Sequence, residues 1–260
     1  MAGTAALQAT LSRGYKLTEA DSVLPTTSLT SIYTLTWVLL TLFSGSTLLL
    51  NSVSGSKINL IAATKSAREK LHPTVIVTHA DTIQRFSGQL GELFASGGLG
   101  AKYTSWSNAR LVQQGTMVGA GRPTYLPSGF SQLKSLYIEQ PANTPPASRI
   151  HSSALSPLRL LLGARVSLAL TANQVAGPVA QSNILDYRDK GDICCVGPIV
   201  GSLEMNLIGE ESELGRTDGG GVGEIVVRGP AAVGDMEKKE KVVLHGVRAK
   251  IDSDGTIILL

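Results

Sequence analysis

The stretch TVIVTHADTIQRFSGQLGELFASGG, residues 74 to 98, reads as a strand and then a helix. Thr74 to Thr78 is a short β-branched run, suited to a strand covered on both faces. Asp81 is placed to cap the helix. Ile83, Phe86, Leu90, Leu93 and Phe94 then recur at helical spacing, and Gly97-Gly98 stop the helix.

The same alternation extends upstream. TLLLNSV (47–53) is a second apolar run, expected as a strand buried on both faces. Lys57 to Leu71 reads as a helix with Ile58, Ile61, Ala62 and Leu71 along one face, broken by His72-Pro73. The uncharged segment IYTLTWVLLTLFSGSTLLL (32–50) is long enough to span a bilayer. Ser44-Gly45-Ser46 interrupts it, so a helix to Phe43, a turn and a strand from Thr47 is the preferred reading over a membrane anchor.

Downstream, a helix is expected over Ser105 to Gln114, then a Gly/Pro-rich loop, GTMVGAGRPTYLPSG (115–129). That loop lacks the Lys-Ser or Lys-Thr of a phosphate-binding P-loop and has no clean strand before it. LKSLYIE (133–139) and RVSLALT (165–171) are strands, with a helix from Ser153 to Leu162 between them. Strand and helix in alternation specify a parallel α/β sheet. After Gly197 the character changes. GSLEMNLI, GEIVVRG, KVVLHG and GTIILL are strand-like runs separated by Gly- and Asp-rich turns, the pattern of an antiparallel sheet or small barrel. The expected fold is therefore a layered α/β sheet followed by a small antiparallel β-barrel. Its parts are a flexible N-terminal segment (1–23), an α/β portion (24–190) and a β-barrel portion (191–260).

Composition agrees with a packed globular chain: 260 residues, 43% hydrophobic and 5% aromatic, so the core rests on Leu, Val, Ile and Ala. A formal charge of +3, with no aromatic-interleaved basic patch, argues against a nucleic-acid partner. Cys194 and Cys195 are adjacent, a spacing that strains a disulfide, and read as reduced thiols of an intracellular protein. Arg13 and Lys16 precede no apolar h-region of a signal peptide. His72, His79, His151 and His245 form no constellation by spacing and read as structural or surface groups. MEKKEKVV (236–243) is a solvated mixed-charge face, and RTDGGGVG (216–223) a turn between strands.

GEIVVRGPAAVGD (223–235) resembles the Gly-Glu-Leu-x-Val-x-Gly motif of the adenylate-forming ligases, the superfamily of acyl-CoA synthetases, luciferases and peptide-synthetase adenylation domains. Other segments resemble that family in order. LTSIYTLTWVLLTLFSGSTLLLN (29–51) looks like its helix leading to a Gly-Ala-Thr-Leu-Val strand, and HPTVIVTHADTI (72–83) like the segment after it. LRLLLGARVSLALTANQVAG (158–177) sits where the family has Tyr-Gly-x-Thr-Glu. GPIVGSLEMNLI (197–208) and DGTIILL (254–260) resemble two later strands. The wording is most similar to fungal acyl-CoA synthetase-like proteins, and the resemblance covers roughly residues 24 to 260.

The resemblance implies part of the family's N-terminal domain. It also implies the reaction of a fatty acid with ATP and coenzyme A, assisted by Mg2+, to give acyl-CoA, AMP and pyrophosphate. It marks Gln140, Leu168 and Thr171 as nucleotide-binding positions, with Glu139 at the rim as either a pocket group or a solvated loop acid. Aligned on Thr171, the acid that would hold magnesium is Ala172. Counted back from Asp254-Gly255, the ribose-holding aspartate is Val247. Alanine offers magnesium no oxygen, and valine accepts no hydrogen bond from a ribose. The segment ALQATLSRGYKLTEADSVLP (6–25) contains no phosphate loop, and the chain stops before the family's C-terminal lysine-bearing domain. The expectation is a partial, catalytically impaired relative, in the cytoplasm or on an organelle membrane, with no metal ligands and no catalytic residue assigned. A peripheral membrane contact and a protein partner covering open strand edges are further expectations. The alternative is a non-catalytic module binding an acyl chain, a nucleotide or a protein partner on the same scaffold.

Overall fold

The computed structural model describes residues 16–51, 59–66, 72–98, 126–186, 190–209, 221–232 and 241–260, together with 102–103, 106–107 and 109–110. Its first sheet holds β1 (Ser22–Pro25), β2 (Thr47–Leu48), β3 (Val75–His79), β4 (Ser135–Pro141), β5 (Arg165–Thr171) and β6 (Pro178–Gln181), in the order β2-β1-β3-β4-β5-β6. The first five strands are parallel, and β6 runs antiparallel to β5. Helices α1 (Ile32–Phe43), α2 (Leu60–Ser66), α3 (Ala80–Ser96) and α4 (Ser152–Leu162) lie between these strands in the chain.

Side-chain alternation divides the sheet into two faces. Val23, Val75, Val77, Tyr137 and Ala169 meet Tyr33, Trp37 and Leu40 of α1 on one face. Leu24, Ile76, Leu136, Ile138, Leu168 and Leu170 point the other way, into a larger core with Ile83, Phe86 and Leu90 of α3 and Leu155, Leu158 and Leu162 of α4. On the first face the Trp37 ring lies 4.4 Å from that of Tyr137 between centroids.

The second sheet holds β7 (Cys194–Gly197), β8 (Glu204–Ile208), β9 (Val222–Arg228), β10 (Lys241–Ile251) and β11 (Ile257–Leu259), all antiparallel, in the order β7-β11-β10-β9-β8. Its described pairings run from β7 to β8 without closing into a ring. Val196, Ile225, Val227, Val242, Ala249 and Ile257 turn inward and join the larger core, so both sheets share one interior. Gly197 makes the joint. Its φ is +83°, and a Cβ there would overlap the backbone of Gln181 and Ser182 at the end of β6. Only glycine fits so close an approach at that backbone angle.

The strand-helix reading of residues 74–98 and the helix-turn-strand reading of 32–50 agree with the structure. Among the described residues no helix is long and apolar enough to cross a membrane. Other details differ. The cap of α3 is His79, whose Nδ1 accepts from the Asp81 backbone N–H at 3.2 Å, with Asp81 inside the first turn. β2 is a two-residue edge strand with Thr47 exposed and Leu48 half-buried, and β1 is its partner. β1 lies second in the sheet although its first residues fall in the segment expected to be flexible. The helix expected from Lys57 is seen from Leu60, with the Asn59 side chain accepting from the Ile61 and Ala62 N–H groups. The expected helix over 105–114 is described only at 106–107 and 109–110, which are helical. The glycine loop (115–129) is described only from Leu126; the turn expected over 216–223 only from Gly221, with Val222 and Gly223 already in β9; and the run expected as a solvated face, 236–243, only from Lys241, where β10 begins and Val242 is buried. Cys194 and Cys195 are free thiols, and burial pushes that of Cys194 up to about 12.

At the amino ends of the strands, buried Asp21 ties the sheet together. Its Oδ1 accepts from Thr74 Oγ1 at 3.0 Å and from Lys134 Nζ at 2.7 Å, and its Oδ2 from the Thr18 N–H at 3.0 Å.

Candidate functional site

Parallel strands leave a crevice beyond their carboxyl ends, where connecting chains diverge to opposite faces. Here that crevice is a cleft of about 670 Å3. The loop after β1 and the start of α1 supply Thr27, Ser28, Thr30, Ser31 and Ile32. β3 supplies His79, β4 and its loop Glu139, Pro141 and Asn143, and β5 and its loop Thr171 and Asn173. A second hollow of about 250 Å3 shares Pro141, Asn143, Thr171 and Asn173, then continues to Ala172 and to Leu244, His245 and Val247 of β10.

β10 reaches the cleft through an irregularity. Its register against β9 shifts between Val243 and Arg248, and Gly246 within the shift has a φ of +74°. Glu224 of the Gly-Glu-Ile-Val-Val run steadies the shift, accepting the Gly246 N–H at 3.0 Å. The acid that looked like a motif signature thus anchors the bulge that brings Val247 to the wall.

The polar centre is Glu139, only 5% exposed. Its Oε1 accepts from Ser31 Oγ at 2.6 Å and from Thr171 Oγ1 at 3.3 Å. Ser31 is the N-cap of α1, and its Oγ also faces the Thr34 N–H at 3.5 Å. Thr34 in turn hydrogen-bonds Thr27 through their hydroxyls. Glu139 Oε2 is buried without a hydrogen-bond partner. Desolvation raises the Glu139 pKa above the ordinary glutamate value, against smaller lowering effects from Ser31, His79, Thr171 and Thr34. With Nδ1 of His79 accepting from Asp81, the neutral ring carries its proton on Nε2.

Of the positions marked by the family resemblance, Thr171, Ala172 and Val247 come together on the cleft. Gln140 and Leu168 do not. Both are fully buried. Gln140 Oε1 accepts from the Ile150 backbone N–H at 3.1 Å, and Leu168 packs in the larger core. Parity explains the split, since Leu168 lies three residues from Thr171 and Gln140 one from Glu139, so each faces the other side of the sheet. Glu139 is a cleft group and not a solvated loop acid, because β4 continues two residues past it, to Pro141. Ser31 is not among the residues expected at the site, and His79, expected as a structural or surface group, lines the cleft. A serine before an uncharged helix and a histidine closing a β-branched strand were the signals available.

No protein-family model matches the sequence, and a search of curated proteins finds no match. Solved structures do match. O-succinylbenzoate coenzyme A synthetase from Bacillus subtilis superposes with a TM-score of 0.59 at 14% identity, covering 100% of this chain and 45% of that one. A malonyl-CoA ligase complex with methylmalonyl-CoA and AMP gives 0.61 at 14% identity, covering 100% and 48%. The N-terminal domain of FACL13 from Mycobacterium tuberculosis gives 0.60 at 10% identity, covering 99% and 55%. The fold is that of the CoA ligases. It agrees with the motif resemblance to adenylate-forming enzymes, and the chain spans about half the length of the ligases it matches.

The CoA-ligase fold implies ATP and Mg2+, and one of the matched synthetase structures carries both. At the two positions that the resemblance marks for holding them, the residues here do not fit that group. The wall presents a methyl from Ala172 and an isopropyl from Val247 where the resemblance puts the metal-holding and ribose-holding acids. Neither supplies the oxygen donors that magnesium or a ribose requires.

Proposed function

We propose that this chain is a CoA-ligase-like small-molecule-binding module, impaired in acyl adenylation. The observation that carries the reading is the cleft wall at Ala172 and Val247. In the ancestral reaction a carboxylate attacks the α-phosphate of ATP, and cations must offset the charge that gathers there. Among the described lining residues of the two hollows there is no lysine or arginine, and the acid facing the space is Glu139. Thr171, Asn143 and Asn173 remain as neutral hydrogen-bonding groups, while Pro141, Ala172, Leu244 and Val247 offer an apolar surface suited to an acyl chain or another organic body.

The test is to mix the protein with ATP, Mg2+, coenzyme A and fatty acids of several lengths, and to follow pyrophosphate. Titrations of fatty acid and AMP are read by calorimetry in parallel. Saturable binding without pyrophosphate release is expected, whereas fatty-acid-dependent pyrophosphate release would overturn the reading. Using protein isolated from its own source, with an intact mass to set against 27.2 kDa, fixes which polypeptide is being assayed.

A further inference from the structure

Glu139 is held as a receptor would hold it. Ser31 and Thr171 both donate to Oε1, from α1 and from β5, so the carboxyl group is fixed from two elements. Glu139 lines the cleft, and its Oε2 is buried without a hydrogen-bond partner. A buried acceptor without a donor is costly, and a charged one more so. We propose that the cleft takes its ligand through a positively charged nitrogen, an ammonium or amidinium, seated against Glu139 Oε2, with the organic body along the Ala172–Val247 wall. This rests on the reading of the cleft as the ligand site.

The surroundings favour a cation over an anion. A carboxylate or phosphate brought here would approach a buried carboxylate with no lysine or arginine among the described lining residues to offset it. A cation would gain a charge-assisted hydrogen bond that repays part of its desolvation. Two other titratable groups face Glu139. His79, at the end of β3, acts on it electrostatically from within the cleft. Tyr33 of α1 senses its charge from the packed face, and burial raises that phenol. The neutral hydroxyls at Ser31 and Thr34 complete the contact.

Three probes with one ring separate the charges: benzamidine as the cation, benzamide as the neutral form and benzoate as the anion. Each is titrated into the full chain by calorimetry, with amide resonances of Ser31 and Thr171 followed by NMR. Benzamidine is expected to bind at least about tenfold more tightly than benzoate, a difference of about 1.4 kcal/mol, and to shift both resonances. In Glu139→Gln, benzamidine should weaken by a similar factor while benzoate holds or tightens. As pH falls, benzamidine should weaken in the wild type as Glu139 takes up its proton. His79 faces the site in the wild type and in the variant alike, so the difference between the two profiles isolates Glu139. Equal affinity for cation and anion, or a Gln variant that keeps its benzamidine affinity, would overturn the proposal. Benzoate binding without benzamidine binding overturns it too, yet leaves the binding-module role standing. Silence from all three probes also defeats it, while the fatty-acid and AMP titrations judge that role separately. Should the variant fail to melt cooperatively, the wild-type probe series and resonance map decide alone.

Discussion

The two sheets of this molecule bury their strands differently. In the parallel sheet, β3 is buried from Val75 through Thr78 and β4 from Ser135 through Gln140, because α1 covers one face and α3, α4 and the shared core cover the other. In the antiparallel sheet, β8 exposes Glu204, Asn206 and Ile208 and turns only Met205 and Leu207 toward the interior. Two-sided burial leaves no free face, so a parallel sheet can offer a site at its strand ends. One-sided burial lets the second sheet act as a wall. Among the described residues it reaches the cleft where β10 breaks its register.

The largest effect should come from emptying the face that the antiparallel sheet lacks. Trp37→Ala removes the ring packed between Tyr33 and Tyr137 and should cost about 3–5 kcal/mol, read as a lower denaturant midpoint. A loss below about 1 kcal/mol would mean the α1 face contributes little to the sheet. Next is the joint. Gly197→Ala meets both a left-handed backbone and the Gln181 carbonyl and should cost at least about 2 kcal/mol. An unchanged melting temperature would show that the two sheets are not held at this point.

Smaller and pH-dependent is Glu139→Gln. Burial raises the Glu139 pKa, so the folded state holds the proton after the unfolded chain has released it. Stability from this group is therefore full below the ordinary glutamate value of 4.5 and is lost as pH rises through the raised value. The Gln variant should melt higher than the wild type at neutral pH, by about 1 kcal/mol, and the gap should close in acid. A constant gap across pH would mean that Glu139 is not desolvated. The smallest change is on the open face of the second sheet, where Ile208→Thr should move stability by no more than about 0.5 kcal/mol. A larger loss would show that this face is covered.

Much of the architecture was legible because it follows periodicity. Thr74 to Thr78 and Arg165 to Thr171 are β-branched or apolar runs, and Ile83 to Leu90 repeats at helical spacing. β1 was missed because Ser22–Pro25 is too short, and ends in a proline too soon, to register as a strand. β6 and β7 were missed for the same shortness. The site was less legible. Thr171 was found through resemblance, but Gln140 and Leu168 were drawn from it without regard to which face of the strand each occupies. Glu139 gave no local sign that its carboxyl is buried. Its environment is made by Ser31, distant in the chain, and only the folded sheet brings the two together.

The order of the first sheet also sets a timetable for synthesis. β1 forms its ladder with β2 and β3, and Val23 pairs with Val75. Asp21 meets Thr74 and Lys134 at its carboxyl group. At roughly 5–20 residues per second, the ribosome leaves β1 without its longer neighbour for several seconds, and Asp21 without its lysine for longer still. During that interval Val23 and Leu24, fully covered in the finished sheet, face solvent or a chaperone. Substituting synonymous codons between residues 26 and 74 would lengthen or shorten that wait without altering a single contact of the folded protein.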